Sequence, residues 1–328
     1  MRIICPSAKL GKRQRISELF KNIEHWISSQ PVEELVTLFG GVFPGTCSLE
    51  EKIVWMEEFA KNWDFRWKQS ANSCLNERWN IQDDSFIQQH TDTILKCARQ
   101  LGLIEGTLPI SSPDYILPLG GARMSNLERT RYTKLIMEKT EGLKVSIVAL
   151  SGMRPIAQEE KSSVSSYAPY SETEFDAINA GLETILSLSP LYTETIESNP
   201  NINLCSRIRR YKETYKGCPV FSLAAPSSSP QRRANSRDTF EFFLDSFQIN
   251  PQDSLLLVTS QIYVPYQLLK FADLAIDKGF DVDCVGYSNQ GKTGFQKPSN
   301  YLQEIKATVN SIYYLYNKYK NELISVSE

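Results

Sequence analysis

The rhythm of apolar and polar positions changes near residue 110. Before that point apolar side chains recur at helical spacing. In RISELFKNIEHWISSQ, Ile16, Leu19, Phe20, Ile23, Trp26 and Ile27 fall on one helical face. SLEEKIVWMEEFAKNW opens with Ser48 and, three residues on, Glu51; this is a capping box, in which each side chain meets the other residue's backbone N–H. Ile53, Met56 and Phe59 then follow on one face. DSFIQQHTDTILKCARQLG repeats the pattern with Phe86, Ile87, Ile94, Leu95 and Leu101, and Gly102 stands where a helix would stop. Residues 1–111 are therefore expected to be helical.

Beyond that point the period shortens. DYILPLG (114–120), KVSIVAL (144–150), CPVFSLAA (218–225), DSLLLVTS (253–260) and FDVDCVG (280–286) are short, mostly continuous apolar runs, as strands buried on both faces should be. Amphipathic helices are expected near 124–140, 172–188, 235–248, 263–278 and 299–321. Five strand–helix units in succession predict a Rossmann-like α/β fold over 112–328, a doubly wound parallel sheet. SRIRRYKETYKG (206–217) fits either a strand or a loop. MRPIAQEEKSSVSSYAPYSE (153–172) is long and polar for a connection of this kind, and such loops often serve as lids or substrate loops.

Composition narrows the chemistry. With 36 basic and 38 acidic residues the net charge is near zero, so recognition of a charged partner has to be local. The seven cysteines form no CxxC pair, which argues against a disulfide framework or a zinc knuckle. Only two histidines occur, His25 and His90, both early, which disfavours a His-based metal site and a Ser-His-Asp triad in the later domain. No segment reaches the ~18 apolar residues of a membrane span. The expectation is a soluble, cytoplasmic protein without a membrane partner or a metal site. The five tryptophans all lie in the helical region, three of them in NWDFRWKQSANSCLNERW. That aromatic-basic stretch suits core packing best, and leaves room for a nucleic-acid partner such as tRNA.

In open α/β sheets, ligands bind beyond the carboxyl ends of the strands. Here those ends carry Gly120, Gly121 and Arg123; Ser151, Gly152 and Arg154; Arg232, Arg233, Asn235, Ser236 and Arg237; and Thr259, Ser260 and Gln261. Glycine lets backbone N–H groups approach a ligand, hydroxyls donate at short range, and arginine offers a forked cationic donor to phosphate or carboxylate. Their coincidence on successive strands predicts an anion site. The spacing matches neither a P-loop nor a complete dinucleotide fingerprint. Glu172, Glu174 and Tyr263 are the candidates for proton transfer, although acidic residues in a first helical turn also serve the helix dipole.

The order LPLGGAR, ALSG, SETE, RRANSRDT and LLVTSQIYVPYQ resembles the YdcF/SanA/ElyC-like family of Rossmann-like proteins over about residues 113–286. The resemblance implies ligand-contacting roles for Gly120, Gly121, Arg123, Ser151, Gly152, Asn235, Ser236, Thr259 and Ser260, and matches Glu172 to the family's acidic position. It implies envelope-related roles and nucleotide or S-adenosylmethionine binding for some members. The chain departs from the pattern at Tyr263, where the family has His, at Gln267 near its usual Arg, at Thr239 in place of an Asn and at Met153 in place of a glycine. The functional expectation is a transferase-like biosynthetic enzyme acting on a small phosphate-, nucleotide- or carboxylate-bearing substrate. The alternative is a non-catalytic nucleotide- or S-adenosylmethionine-binding regulatory protein. No cofactor is indicated by the sequence itself.

Overall fold

The computed structural model describes residues 1–65, 81–121, 123–140, 142–288 and 296–324. The chain divides into two compact units: one of residues 1–106, 261–277 and 288–328, the other of 107–260 and 278–287.

In the first unit, α1 (Lys12–Ile27), α2 (Gln30–Leu38) and α3 (Leu49–Phe59) are followed by a 3-10 turn, Ala60–Trp63, and by α4 (Ser85–Gln89) and α5 (Thr91–Gln100). The apolar face expected of α1 is buried in full, from Ile16 to Ile27. Ser48 and Glu51 make the capping box of α3, with Ser48 N donating to Glu51 Oε2 at 2.9 Å. Gly102, at φ +84°, ends α5 in the left-handed conformation that suits glycine. Trp26 and Trp63 are fully buried, which is the packing role expected of them. Most of the remaining aromatic-basic stretch, including Trp67 and Trp79, lies outside the described residues.

Two later helices, α10 (Val264–Lys278) and α11 (Pro298–Ile324), belong to this unit in all but the last residue of α10, so it extends past the N-terminal region that the sequence pattern set apart. Their attachment is physical. Arg15 of α1 is buried and donates from Nη1 to Ala275 O at 2.8 Å. Lys318 of α11 meets the buried Asp273 of α10 at 2.8 Å, and Tyr316 packs edge-on against Phe20. No helix among the described residues is long and apolar enough to cross a membrane.

The second unit holds the whole seven-stranded sheet. Its strands are β1 (Tyr115–Pro118), β2 (Ser146–Gly152), β3 (Tyr192–Glu197), β4 (Ser206–Tyr215), β5 (Cys218–Ala225), β6 (Ser254–Ser260) and β7 (Asp281–Tyr287), in the order β3-β4-β5-β2-β1-β6-β7. The five strands expected from their apolar runs pair in parallel as β5-β2-β1-β6-β7. The fold is Rossmann-like α/β. Two antiparallel strands extend it beyond β5. The open question at 206–217 is answered by β4, while β3 was not anticipated. Its burial is exposed at every position but one, so YTETIE shows neither a buried run nor an apolar alternation.

Helices α6 (Ser125–Lys139) and α8 (Glu174–Leu186) cover one face, where Ile136, Met137, Ile178 and Leu182 pack with Ile116, Ile147, Val220 and Val258. Helix α9 (Ser236–Ser246) covers the other, setting Phe243 against Tyr115. The long segment between β2 and α8 is compact. It contains α7 (Gln158–Val164), packs Ile156, Val164 and Ala168 on Ala177, and is closed at its base by Ile156 N to Glu172 O and Glu174 N to Arg154 O.

Candidate functional site

The connections leave β1 toward β2 and β5 on one side, and return through β6 to β7 on the other. The order therefore reverses between β1 and β6, the position where open α/β sheets present their ligand crevice. One side chain spans that point. Arg129 of α6, buried to 5% exposure, donates from Nη1 to Leu119 O at 2.8 Å and to Gly120 O, and lies with Nη2 at 3.4 Å from Ser260 Oγ. The Ser260 hydroxyl in turn reaches Tyr287 OH at 3.1 Å. Beside it in the chain, Thr259 is fully buried and its hydroxyl has no hydrogen-bond partner among the described residues.

The Gly120-Gly121 turn makes room for this arrangement. A Cβ on Gly121 would come within 2.8 Å of Arg129 Nη1 and 2.9 Å of Ser125 Cβ; one on Gly120 would overlap Glu174 Oε1. Gly121 N donates to Asn126 Oδ1 at 2.8 Å. Arg123 follows at φ +52°, a left-handed conformation uncommon for a side chain of its size. Its carbonyl accepts from Tyr167 OH at 3.0 Å. Burial, reinforced by the charges of Glu174 and Glu160 against the Asn126 contact, pushes the Tyr167 hydroxyl up to about 12, so it remains a donor at neutral pH. Helix α6 then begins at Ser125, and the side chain of Met124 at its N-cap position makes no capping hydrogen bond.

Glu174 opens α8 and points at this turn. Its Oε2 accepts from Arg154 Nε at 3.0 Å, while its Oε1, against Gly120, accepts no hydrogen bond from a described residue. Arg154 is itself clasped by Glu160, which is fully buried: Nη1 to Oε2 at 2.6 Å and Nη2 to Oε1 at 3.1 Å, with Ala157 N also donating to Oε2 at 3.0 Å. Burial opposes the Arg154 charge, but the two carboxylates outweigh it and hold the guanidinium firmly protonated. The arginine expected to receive a ligand anion thus serves two internal carboxylates and fixes the orientation of Glu174.

The other sequence candidates divide. Glu172 is exposed and its carboxylate joins no part of this cluster; its backbone N–H donates to Asp176, which completes the capping box of α8 with Thr173. Ser151 turns its hydroxyl to Leu223 O at 2.8 Å, and Gly152 lies against Ala234. Arg232 bonds Asp238 and Ser228, and Arg237 pairs with Glu241 at 2.6 Å. Arg233 is exposed. Asn235 caps α9 through the N–H groups of Arg237 and Asp238, and Ser236 is the first residue of that helix. Gln261 and Tyr263 belong to the first unit, where Gln261 Nε2 donates to Gly102 O at 2.7 Å and Tyr263 packs edge-on to Tyr266. Of the five arginines, Arg154, Arg232 and Arg237 thus pair with carboxylates of the chain itself.

Arg129, Asn126, Glu160 and Tyr167 were missed by the sequence reading. A signal existed for the first two. Asn126 and Arg129 stand three apart just after the glycine pair, hence on one face of the helix that the turn initiates. Glu160 and Tyr167 had none, because their roles depend on how the 153–172 segment folds back.

Fold and turn together define a Rossmann-like α/β protein with a carboxylate at the strand ends. A family model described as the Rv3785 N-terminal domain matches residues 11–102. Uncharacterized protein Rv3785 of Mycobacterium tuberculosis and uncharacterized protein Mb3814 of Mycobacterium bovis are each 30% identical over 338 aligned positions, covering 94% of this chain and 93% of theirs. The chain belongs to this family. No solved structure matches it.

Proposed function

We propose that this protein is a group-transfer enzyme acting on a small anionic substrate, phosphate-, nucleotide- or carboxylate-bearing, bound over the Gly120-Gly121 turn. The observation that carries the reading is the Glu174 carboxylate. One oxygen is anchored by Arg154, and the other rests over a glycine with no donor from a described residue. A carboxylate held this way is preorganised to accept a proton from a bound nucleophile.

The anion's place is supported by the same turn. The start of α6, where Met124 supplies no side-chain cap, offers backbone N–H groups and the positive end of the helix dipole, and Arg123 stands two residues before it. Arg129 adds a buried guanidinium where the strand order reverses, and the Thr259 hydroxyl awaits a partner at the end of β6. The resemblance to the YdcF/SanA/ElyC-like family supports ligand contacts at Gly120, Gly121 and Arg123. The geometry supports Glu174 rather than Glu172 as the proton acceptor.

The test has two readouts. Calorimetric titration with inorganic phosphate, pyrophosphate and AMP measures binding. Mass spectrometry of a metabolite extract, incubated with wild type or Glu174→Gln, looks for turnover. The expected result is saturable binding of at least one probe, lost in Arg123→Ala and kept in Glu174→Gln, with one substrate–product pair that only the wild type interconverts. Binding without turnover by any variant would support a regulatory binding protein instead. Absence of binding by all three anions would remove the anion site.

A further inference from the structure

Tyr167 has a second side. Its hydroxyl reaches Arg123 O beside the Glu174 site, while the residue also lines a separate cavity of about 250 Å³ along the outer face of α8. Its polar and aromatic walls include Tyr167, Tyr170, Asp176, Asn179, Glu183 and Arg209.

The charges there do not cancel. Arg209 is engaged: its Nε donates to Glu194 Oε1 at 3.0 Å, Nη1 faces Glu183 Oε1 at 3.6 Å, and the guanidinium lies 3.6 Å from the Tyr192 ring centroid. Three carboxylates, Asp176, Glu183 and Glu194, thus stand against one guanidinium. The two that line the cavity, Asp176 and Glu183, each keep an oxygen unused. Asp176 spends Oδ2 on Thr173 and the backbone N–H of Glu172, and Glu183 spends Oε1 on Tyr211 OH and Arg209; Asp176 Oδ1 and Glu183 Oε2 accept nothing from a described residue. Asn179, between them, is buried, donates from Nδ2 to Phe175 O at 2.7 Å and accepts from Ser222 Oγ at 2.6 Å, so it forms a wall tied to the interior.

Spacing gives the ligand its shape. Asp176 and Glu183 are seven residues apart on one helix face, two turns, and their Cα atoms are about 10 Å apart along the axis. One ammonium cannot serve both carboxylates at that separation, but the two ends of a linear dication can. Among the lining residues, Tyr170 is 95% exposed. An aromatic face beside surplus negative charge suits a cation and its methylene chain.

We propose that this cavity is a binding site for a linear organic diamine, its two ammonium groups addressed to Asp176 and Glu183 and its chain lying against Tyr167 and Tyr170. The site stands independently of the anion site at the Gly120-Gly121 turn, and its test uses different probes.

Calorimetric titration at low ionic strength with 1,5-diaminopentane and 1,7-diaminoheptane, against pentylamine and glutarate, tests it. At least one diamine should bind one-to-one and at least about tenfold more tightly than pentylamine, with no binding of glutarate. Glu183→Gln, which keeps an acceptor for Tyr211, should weaken the diamine about tenfold, and Tyr170→Ala several-fold with an unchanged Tm. Glu159→Gln, an exposed carboxylate outside the cavity, should leave it unchanged. The proposal is overturned if pentylamine binds as well as the diamines, if glutarate binds in preference, if neither Glu183→Gln nor Tyr170→Ala has an effect, or if Glu159→Gln weakens binding as much as Glu183→Gln.

Discussion

Oε1 of Glu174 rests against the Cα of Gly120, so closely that a methyl group on that glycine would overlap the oxygen. The same methyl would lie 2.9 Å from Leu150 O and 3.1 Å from Ser151 Cα. The carboxylate can swing aside, but the β2 backbone cannot without disturbing its pairing with β5. Gly120→Ala should therefore do two things at once. It should cost about 1–3 kcal/mol of stability, as overpacking does, and it should displace Glu174 from the turn. Urea denaturation measures the first. A Gly120→Ala variant as stable as wild type would mean that the turn is looser than its contacts indicate.

Glu160 should matter more to stability than any other acidic residue of the 153–172 segment. It is fully buried, and its removal leaves the Arg154 charge with Glu174 alone. Breaking a buried ion pair from one side costs several kcal/mol. Because Glu174 remains, Glu160→Gln should cost about 3 kcal/mol, whereas the exposed Glu172→Gln should stay within about 0.5 kcal/mol. Equal denaturation midpoints for the two variants would contradict the assignment of Glu160 as the anchor of Arg154.

What the sequence made legible follows from where the information was local. The five parallel strands announced themselves because strands buried on both faces must be apolar along their length, as Leu255, Leu256, Leu257 and Val258 are. Strand β3 stayed hidden because an edge strand exposed on both faces has no such requirement. At the site, the glycine pair and the acidic start of α8 could be placed at strand ends by counting. Their relationship could not be, since the contact of Gly120 with Glu174 depends on the segment between β2 and α8 folding back through α7. Arg154 shows the same limit. Its position at a strand end was readable, but its partner Glu160 lies in a stretch whose charged character looked like that of a solvated loop. Arg129, set between Glu128 and Arg131, reads as a surface charge until the helix is docked on the sheet.

Acid should weaken the second unit in part through Asp238. Burial alone would raise its pKa, but Arg232, with the backbone N–H groups of Asn235 and Ser228, outweighs it and brings the carboxyl down from 3.8 to about 2. A carboxylate with a depressed folded-state pKa contributes stability that is present above its unfolded value and lost as pH falls through the folded one. The window is therefore pH 4 to 2. One pKa unit corresponds to about 1.4 kcal/mol, and the 40% exposure of Arg232 screens the pair, so the expected contribution is about 1–2 kcal/mol. The stability gap between wild type and Asp238→Asn should be constant above about pH 4.5 and close by that amount toward pH 2. A gap independent of pH would assign the Asp238 effect to packing or helix capping instead.

Arg123 offers a way to separate stability from function. Its φ of +52° costs a non-glycine residue about 1 kcal/mol, and such strain persists where the surrounding structure, or the ligand, needs the residue. Glycine removes the strain and the charge together, while the carbonyl that receives Tyr167 OH remains. The greater freedom of glycine in the unfolded chain offsets part of the gain. Arg123→Gly is therefore expected to be as stable as wild type, or more stable by up to about 1 kcal/mol, and to bind phosphate, pyrophosphate or AMP at least about tenfold more weakly. Arg123→Lys should retain the strain and recover only part of the affinity, because an ammonium lacks the fork of donors that meets two anion oxygens at once. If Arg123→Gly loses stability and keeps its anion affinity, the residue is a structural element of the turn, and the anion must be sought at Arg129 or elsewhere along the strand ends.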